Sequence, residues 1–455
     1  MRPRFLLPAA LSVAAIMLLV SCNSGDSPGK KQFESEQVQQ SAAPLITSPA
    51  PVTSPGVAEP LAEAVIPLTV EQRLEDFDYM WKIIEENYPF FEVNKRLNRE
   101  DWLAKKKEHR NKIAAVKTDD EFFGEMTFVL SRLNNGHTAF ISKEEYPLYL
   151  YSYTRLGYGF EPWVNVFKQS NVLARYIQKP LNEQTSSDEI NKNNNMVEEE
   201  GGRKETSGNV EKAIIEPDQI AYLGMRSFGG HLMEMDSAEI RDFFKQVKNF
   251  KTLILDIRGN GGGSSDYWRI HIVPQLINKP TTYNTYYLYR GGDYAEAFMQ
   301  ARQLTEGLQP IANIKGENLP EIPPEAIKIF KNYNKKIDIV TPYHSVGFKG
   351  KIYLLVDRSV YSSSEGLAAF AKGTGFATVV GEKTGGDGLG TDPLVAALPN
   401  SGYVFRFSLQ MGLNSDGSCN EEVKTVPDIE VDPDTSKPLL DQPAVQKVLQ
   451  LAKSH

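Results

Sequence analysis

Leu253-Ile254-Leu255-Asp256-Ile257-Arg258-Gly259-Asn260-Gly261-Gly262-Gly263 and Ile352-Tyr353-Leu354-Leu355-Val356-Asp357-Arg358-Ser359-Val360-Tyr361-Ser362-Ser363-Ser364-Glu365 share one plan: a short apolar run, then a polar turn. A run of that length, bounded by glycine and serine, reads as a strand buried on both faces. Ile220-Ala221-Tyr222-Leu223 is a third such run. Helical patterns follow at Ser237 to Lys248 and at Ser363 to Thr374, before a further strand at Thr378-Val379-Val380. Strands alternating with helices predict an α/β core with parallel pairing.

The turns after these strands carry the chemistry. Glycines at 259 and 261–263 let backbone approach a ligand with no side chain in the way. A serine at a strand-to-helix junction is exposed, and the first amides of the helix lack intrahelical partners, which suits them to stabilise a developing anion. A run of helix-capping serines is the other reading of Ser362 to Ser364. The only Gly-x-Ser-x-Gly, Gly25 to Gly29, has no strand before it or helix after it. No His-Glu-x-x-His occurs, and the six histidines (109, 137, 231, 271, 344 and 455) show no metal-ligand spacing, so no metal and no organic cofactor is expected.

Three segments together resemble the S41 peptidase superfamily, which holds the tail-specific (carboxy-terminal processing) and tricorn-type proteases. Tyr361-Ser362-Ser363-Ser364-Glu365 is similar to its nucleophile segment, and Asp256-x-Arg258-x-Asn260-x-Gly262-Gly263 to its glycine loop. Leu133-Asn134-Asn135-Gly136-His137-Thr138 resembles the Gly-His-Thr turn of the tricorn-type, histidine-dependent branch. The resemblance implies Ser362 as nucleophile, His137 as general base, and the Gly262 and Ser363 amides as oxyanion hole. Near the end, Asn420-Glu421-Glu422-Val423-Lys424-Thr425-Val426-Pro427-Asp428-Ile429 resembles the closing motif of the family. Alignment on Pro427-Asp428-Ile429 puts Glu421 at the functional glutamate that would orient the base, with Glu422 as its rival and Lys424 replacing the family's glycine. Tail-specific members use a lysine after the strand. In Gly381-Glu382-Lys383-Thr384-Gly385-Gly386-Asp387-Gly388, Asp387 stands at that place, Lys383 lies four residues earlier, and Lys372 falls in the helix. The histidine-based arrangement is therefore favoured over a Ser–Lys dyad.

The fold implied is a ClpP/crotonase-like α/β core with a mixed sheet and flanking helices, plus a small N-terminal helical bundle. Residues 67–145 would form that helical subdomain. It opens at a capping box, Thr69 with Gln72, followed by Leu74, Phe77, Trp81, Ile84 and Tyr88 at helical spacing. Pro89 ends this helix, and two more are expected over 98–115 and 118–133. From Tyr146 to Gln178 aromatic and β-branched residues predict strands, and the polar stretch 181–212 reads as a disordered insertion. The strand-rich segment 146–212 stands where relatives carry a PDZ module, and no complete module is expected. The catalytic core would span 213–440, and a closing helix 441–455.

At the other end, Arg2 and Arg4 precede an apolar run from Phe5 to Val20, then Ser21 and Cys22. A basic start and about 16 apolar residues mark a secretory signal over 1–21. Leu19-Val20-Ser21-Cys22 resembles a bacterial lipobox, implying lipid on Cys22. The Ser-, Pro- and Gln-rich stretch 22–66 reads as a flexible tether. With two cysteines in 455 residues, Cys419 has no disulfide partner once Cys22 is acylated. A net charge of −8 disfavours nucleic acid as partner. The expectation is a lipid-anchored enzyme of the cell envelope that hydrolyses peptides or proteins outside the cytoplasm. Two alternatives stay open: an inactive peptide-binding lipoprotein of the same fold, and a serine esterase or amidase acting on envelope material.

Overall fold

The computed structural model describes residues 67–177 and 208–453. The expected signal peptide (1–21), the expected tether (22–66) with Cys22, and residues 181–207 of the expected insertion lie outside them.

Thirteen strands are described. The central sheet is built from β2 (Val210–Glu216), β3 (Ile220–Met225), β4 (Thr252–Asp256), β8 (Lys351–Val356), β9 (Thr378–Gly381) and β13 (Ile429–Glu430), in the order β13-β9-β8-β4-β3-β2. All neighbours are parallel except β2 with β3. The apolar runs are continuous because both faces are covered. Leu223, Leu253, Leu255, Leu354 and Val379 enter the main core, whereas Tyr222, Ile254, Tyr353 and Val380 pack against Ala444, Val445 and Val448 of the closing helix Pro443–Lys453. Each fully buried Leu, Ile or Val contributes about 1.5–3 kcal/mol relative to exposure. The fold is mixed α/β with flanking helices, as expected. Residues 210–212 belong to β2, so the disorder expected over 181–212 does not hold for them.

β4 and β8 pair in register, Asp256 with Leu355, and β8 and β9 pair Val356 with Gly381. Three loops therefore leave the sheet side by side at its carboxyl edge, where ligands bind in sheets of this kind. A small antiparallel sheet, β1 (Ala139–Phe140), β10 (Leu394–Ala397) and β11 (Val404–Phe407), has β11 in the middle. A third sheet joins β12 (Gln410–Leu413), β5 (Thr281–Tyr289), β7 (Asn332–Val340) and β6 (Gln309–Pro310).

The N-terminal helices form as read. Thr69 caps Val70–Asn87, with the Gln72 amide 3.2 Å from Thr69 Oγ1 and the Thr69 amide 2.9 Å from Gln72 Oε1. Trp81 from this helix stacks on Trp102 at 3.6 Å between ring centres. The helix expected over 98–115 is shorter: Arg99, at φ 56°, ends the helix Phe91–Asn98, and the next regular helix is Lys106–Ala115. The helix Asp119–Ser131 then leads into the histidine turn.

Residues 146–177 overturn the strand expectation. They fold as helices Tyr146–Leu156, Glu161–Phe167 and Ser170–Tyr176. Tyr146, Tyr149, Leu150 and Tyr153 recur at three- and four-residue steps and face the core, while prolines sit in the first turns of two helices and Gly157, at φ 68°, ends one. Tyrosine and valine prefer strands where local preference alone decides. Tertiary packing decides the other way.

Candidate active site

At the end of β8 the chain turns through Asp357 to Tyr361 and enters the helix Ser363–Thr374. Ser362 occupies the capping position at φ 57°, ψ −130° and makes no side-chain capping bond. Positive φ in a residue with a Cβ costs about 1–3 kcal/mol and needs support from its surroundings. Here Ser362 N–H donates to Gly386 O at 3.3 Å, and Gly366 N–H donates to Ser362 O at 3.0 Å. The buried Ser364 does the structural work. Its hydroxyl donates to Asn260 O at 2.5 Å and accepts the Tyr361 amide at 3.1 Å. Ser362 Oγ is left without a hydrogen bond among the described residues, on a partly exposed strand-to-helix junction.

The glycine loop rests directly on this serine. A Cβ on Gly262 (φ 102°) would lie 2.7 Å from Tyr361 O, 2.8 Å from Ser362 Cβ and 2.9 Å from Ser363 N. Gly262→Ala is accordingly expected to cost about 1–3 kcal/mol of stability. Peptide hydrolysis should fall by on the order of 10²-fold or more, as when an oxyanion donor is lost. Thermal melting and kcat/KM on the same sample check both. The Ser363 amide, first in its helix, has no acceptor among the described residues, as an oxyanion donor requires. The Gly262 amide differs from the sequence expectation, because it is donated to Asn260 Oδ1 at 2.9 Å. Asn260, fully buried, is held in turn by Met225 O at 3.1 Å.

β1 pairs with β11, Ala139 opposite Arg406, and so delivers the turn that precedes it. Arg406 Nε donates to His137 O at 3.0 Å, and the imidazole lies 4.8 Å from the Tyr361 ring, centre to centre. His137 Nδ1 is 2.8 Å from Asp387 Oδ2. An acid there fixes the proton on Nδ1 and leaves Nε2 as the acceptor. Asp387 Oδ2 also accepts from Ser408 Oγ at 2.7 Å and Asn135 Nδ2 at 2.9 Å. Burial raises the Asp387 carboxyl, but the imidazole charge and these donors outweigh it and hold it below the ordinary aspartate value.

Residues 219–431 match peptidase family S41, and residues 69–126 match the tricorn protease C1 domain. The core belongs to the S41 peptidase superfamily. A Parabacteroides merdae ATCC 43184 protein assigned as a peptidase shares the fold at 19% identity and TM-score 0.51, over 84% of this chain and 96% of its own. Mature CPAF does so at 10% identity and TM-score 0.50, over 79% of this chain and 92% of its own. A lipoprotein from Streptococcus agalactiae aligns over 87% of this chain and 99% of its own, at 14% identity and TM-score 0.45. No curated protein matches the sequence.

In this S41 core the glutamate expected to orient the base does not reach it. Among the described residues Glu421 Oε1 accepts only Asn135 Nδ2, at 3.1 Å, and its buried Oε2 has no partner. Glu422 is paired with Arg96 at 2.6 Å. Asp387 takes the place at the imidazole that the alignment had given to Glu421. The physical reason is the three-strand register: the loop after β9 runs beside the Ser362 turn, which Tyr361 and Gly386 bridge, and this brings Asp387 under His137. Lys372 is tied to Asp428 and Lys383 is exposed. Lys383→Met is therefore expected to keep kcat/KM within about twofold, and a loss of 10²-fold or more would restore the dyad. Cys419 is buried, and burial pushes its thiol well above the usual range, so it is no nucleophile.

Glu365 of the helix Ser363–Thr374 is fully buried, and burial pushes its carboxyl up to about 7 despite hydrogen bonds from Thr425 Oγ1 and Asn420 Nδ2, both at 2.7 Å. The folded state thus holds this proton more tightly than the unfolded chain. The contribution to stability is complete below the unfolded value near 4.5 and is lost as pH rises towards 7. Glu365→Gln is expected to flatten the fall in Tm between about pH 5 and pH 8, which parallel melts on the two proteins would register.

Proposed function

We propose that the chain is a serine peptidase acting outside the cytoplasm. Ser362 Oγ attacks the scissile carbonyl as His137 Nε2 takes its proton, and Asp387 holds the resulting imidazolium. The Ser363 amide faces the oxyanion. The Gly262 amide joins it once it turns from Asn260 Oδ1, a rotation that glycine permits. His137 then gives its proton to the leaving amine, whose departure leaves an acyl-enzyme on Ser362. Water, deprotonated by His137, releases the acid and restores the serine. No metal enters these steps, and among the described residues no cluster of ligating side chains forms a metal site.

The observation that carries the reading is the 2.8 Å contact between His137 Nδ1 and buried Asp387, beside a strained serine whose hydroxyl is uncommitted. A binding protein with no catalysis gains nothing from a buried acid–imidazole pair, so the inactive alternative is disfavoured. Secretion and a lipid on Cys22 rest on the N-terminal motif, and no helix among the described residues is long and apolar enough to cross a membrane. Incubating the purified protein with a mixed peptide library, read by mass spectrometry, tests the function. Internal cleavage or carboxy-terminal trimming is expected. Turnover of esters with none of peptides would instead favour the esterase.

A further inference from the structure

The side chain of Asn135 is buried between the histidine turn and two carboxyls. Its Oδ1 accepts the His137 amide at 3.1 Å, Thr138 Oγ1 at 2.8 Å and Ser408 Oγ at 3.2 Å. Its Nδ2 lies 2.9 Å from Asp387 Oδ2, 3.1 Å from Glu421 Oε1 and 3.3 Å from Tyr361 OH. One amide therefore joins the base, both acids and the residue before the nucleophile. The two acids are unequally served. Among the described residues Asp387 receives the imidazole, the Ser408 hydroxyl, the amide and, at 3.5 Å, the Tyr361 hydroxyl, whereas Glu421 receives the amide alone and keeps Oε2 buried without a donor. Two neighbouring buried carboxyls do not both ionise when donors suffice for one.

We propose that Asn135 is a positioning residue which couples Asp387 to a Glu421 carboxyl held in its protonated form, so that the acid end carries one negative charge and that charge faces His137. The inference rests on the serine-peptidase reading for its catalytic meaning, but not for its geometry. The surroundings of Glu421 agree. Burial and the Asp387 charge raise it well above the usual glutamate value, and Glu365 adds to this. Tyr88, Tyr361 and Cys419 stand close by, and Lys424 opposes with its cation and is outweighed. The charge of Glu421, had it one, would reach His137 through Asp387 and stabilise the imidazolium.

Glutamine copies a protonated glutamate in shape and keeps an acceptor for Asn135, whereas leucine keeps only bulk. Glu421→Leu is expected to lower kcat about tenfold or more with little change in KM, and Glu421→Gln to recover most of that loss. Asn135→Ala is expected to lower kcat by about 10²-fold, again with KM nearly constant, because it loosens base and acid and not the substrate. The readout independent of turnover is the imidazole titration of His137, followed by NMR in the full chain with labelled histidine and assigned by His137→Gln. Glu421→Gln should leave the titration within about 0.3 unit, since it removes no charge. A fall of about one unit or more, with kcat as poor as in Glu421→Leu, would show that Glu421 is ionised and overturn the proposal. Asn135→Ala with wild-type kcat and an unmoved titration would overturn the positioning role. A wild type that cleaves no peptide, with the titrations behaving as stated, would sink the peptidase reading and leave the charge assignment standing.

Discussion

Ser362→Ala is expected to lower peptide turnover by on the order of 10⁶-fold, to the level that binding and oxyanion contacts alone provide. The hydroxyl has no hydrogen bond among the described residues, so its removal breaks no structural contact. Alanine meets the same difficulty at φ 57° as serine, and the supporting bonds from Ser362 N–H and to Ser362 O are backbone bonds that survive. Stability should therefore shift by less than about 1 kcal/mol. A large loss of rate with an unchanged melting curve separates chemistry from folding. A variant that retained turnover would move the nucleophile elsewhere.

Asp387→Asn carries the next largest effect, a fall in kcat of roughly 10⁴-fold, as expected when the acid behind a catalytic imidazole becomes an amide and the wrong tautomer results. Asparagine tolerates positive φ, which is 45° at this position, better than most residues, so the loop is kept. Ser408 Oγ and Asn135 Nδ2 lose a charged acceptor, which costs about 1–3 kcal/mol. The sign of the pH effect follows from the charge. Without the Asp387 carboxylate the imidazolium is less stabilised, and the acid limb of kcat/KM moves to lower pH. A profile displaced upwards, or a rate within tenfold of wild type, would mean that Asp387 is not the partner of the base.

Much of this was legible in the residues. The runs at Leu253 and Ile352 announced buried parallel strands, because their apolar side chains have no polar alternation. Thr69 and Gln72 announced a helix start through two hydrogen bonds that are local in sequence. Ser362 and the glycine loop were visible because a strand precedes each and a sharp turn follows. Residues 146–177 look like strands because tyrosine and valine favour strands in isolation, while the helical spacing of Tyr146, Tyr149 and Tyr153 is satisfied by tertiary contacts with Phe160, Trp163, Phe167 and Tyr176. In the sequence Asp387 shows only as the residue at the place where tail-specific proteases carry a lysine. Its partner lies 250 positions away, and the pairings of β1 with β11 and of β8 with β9 that join them are not written in either segment alone. Alignment on Pro427-Asp428-Ile429 points to Glu421, because it keeps the order of residues but not their hydrogen bonds.

The most direct measurement is covalent labelling of the native protein with a fluorophosphonate, followed by digestion and mass spectrometry. Attack on phosphorus requires a serine activated by its base, so the label reports the nucleophile without any choice of substrate. The expected result is a single adduct on Ser362, absent in Ser362→Ala and strongly slowed in His137→Ala and Asp387→Asn. Label on another serine, or equal labelling of wild type and Asp387→Asn, would contradict the catalytic assignment made here.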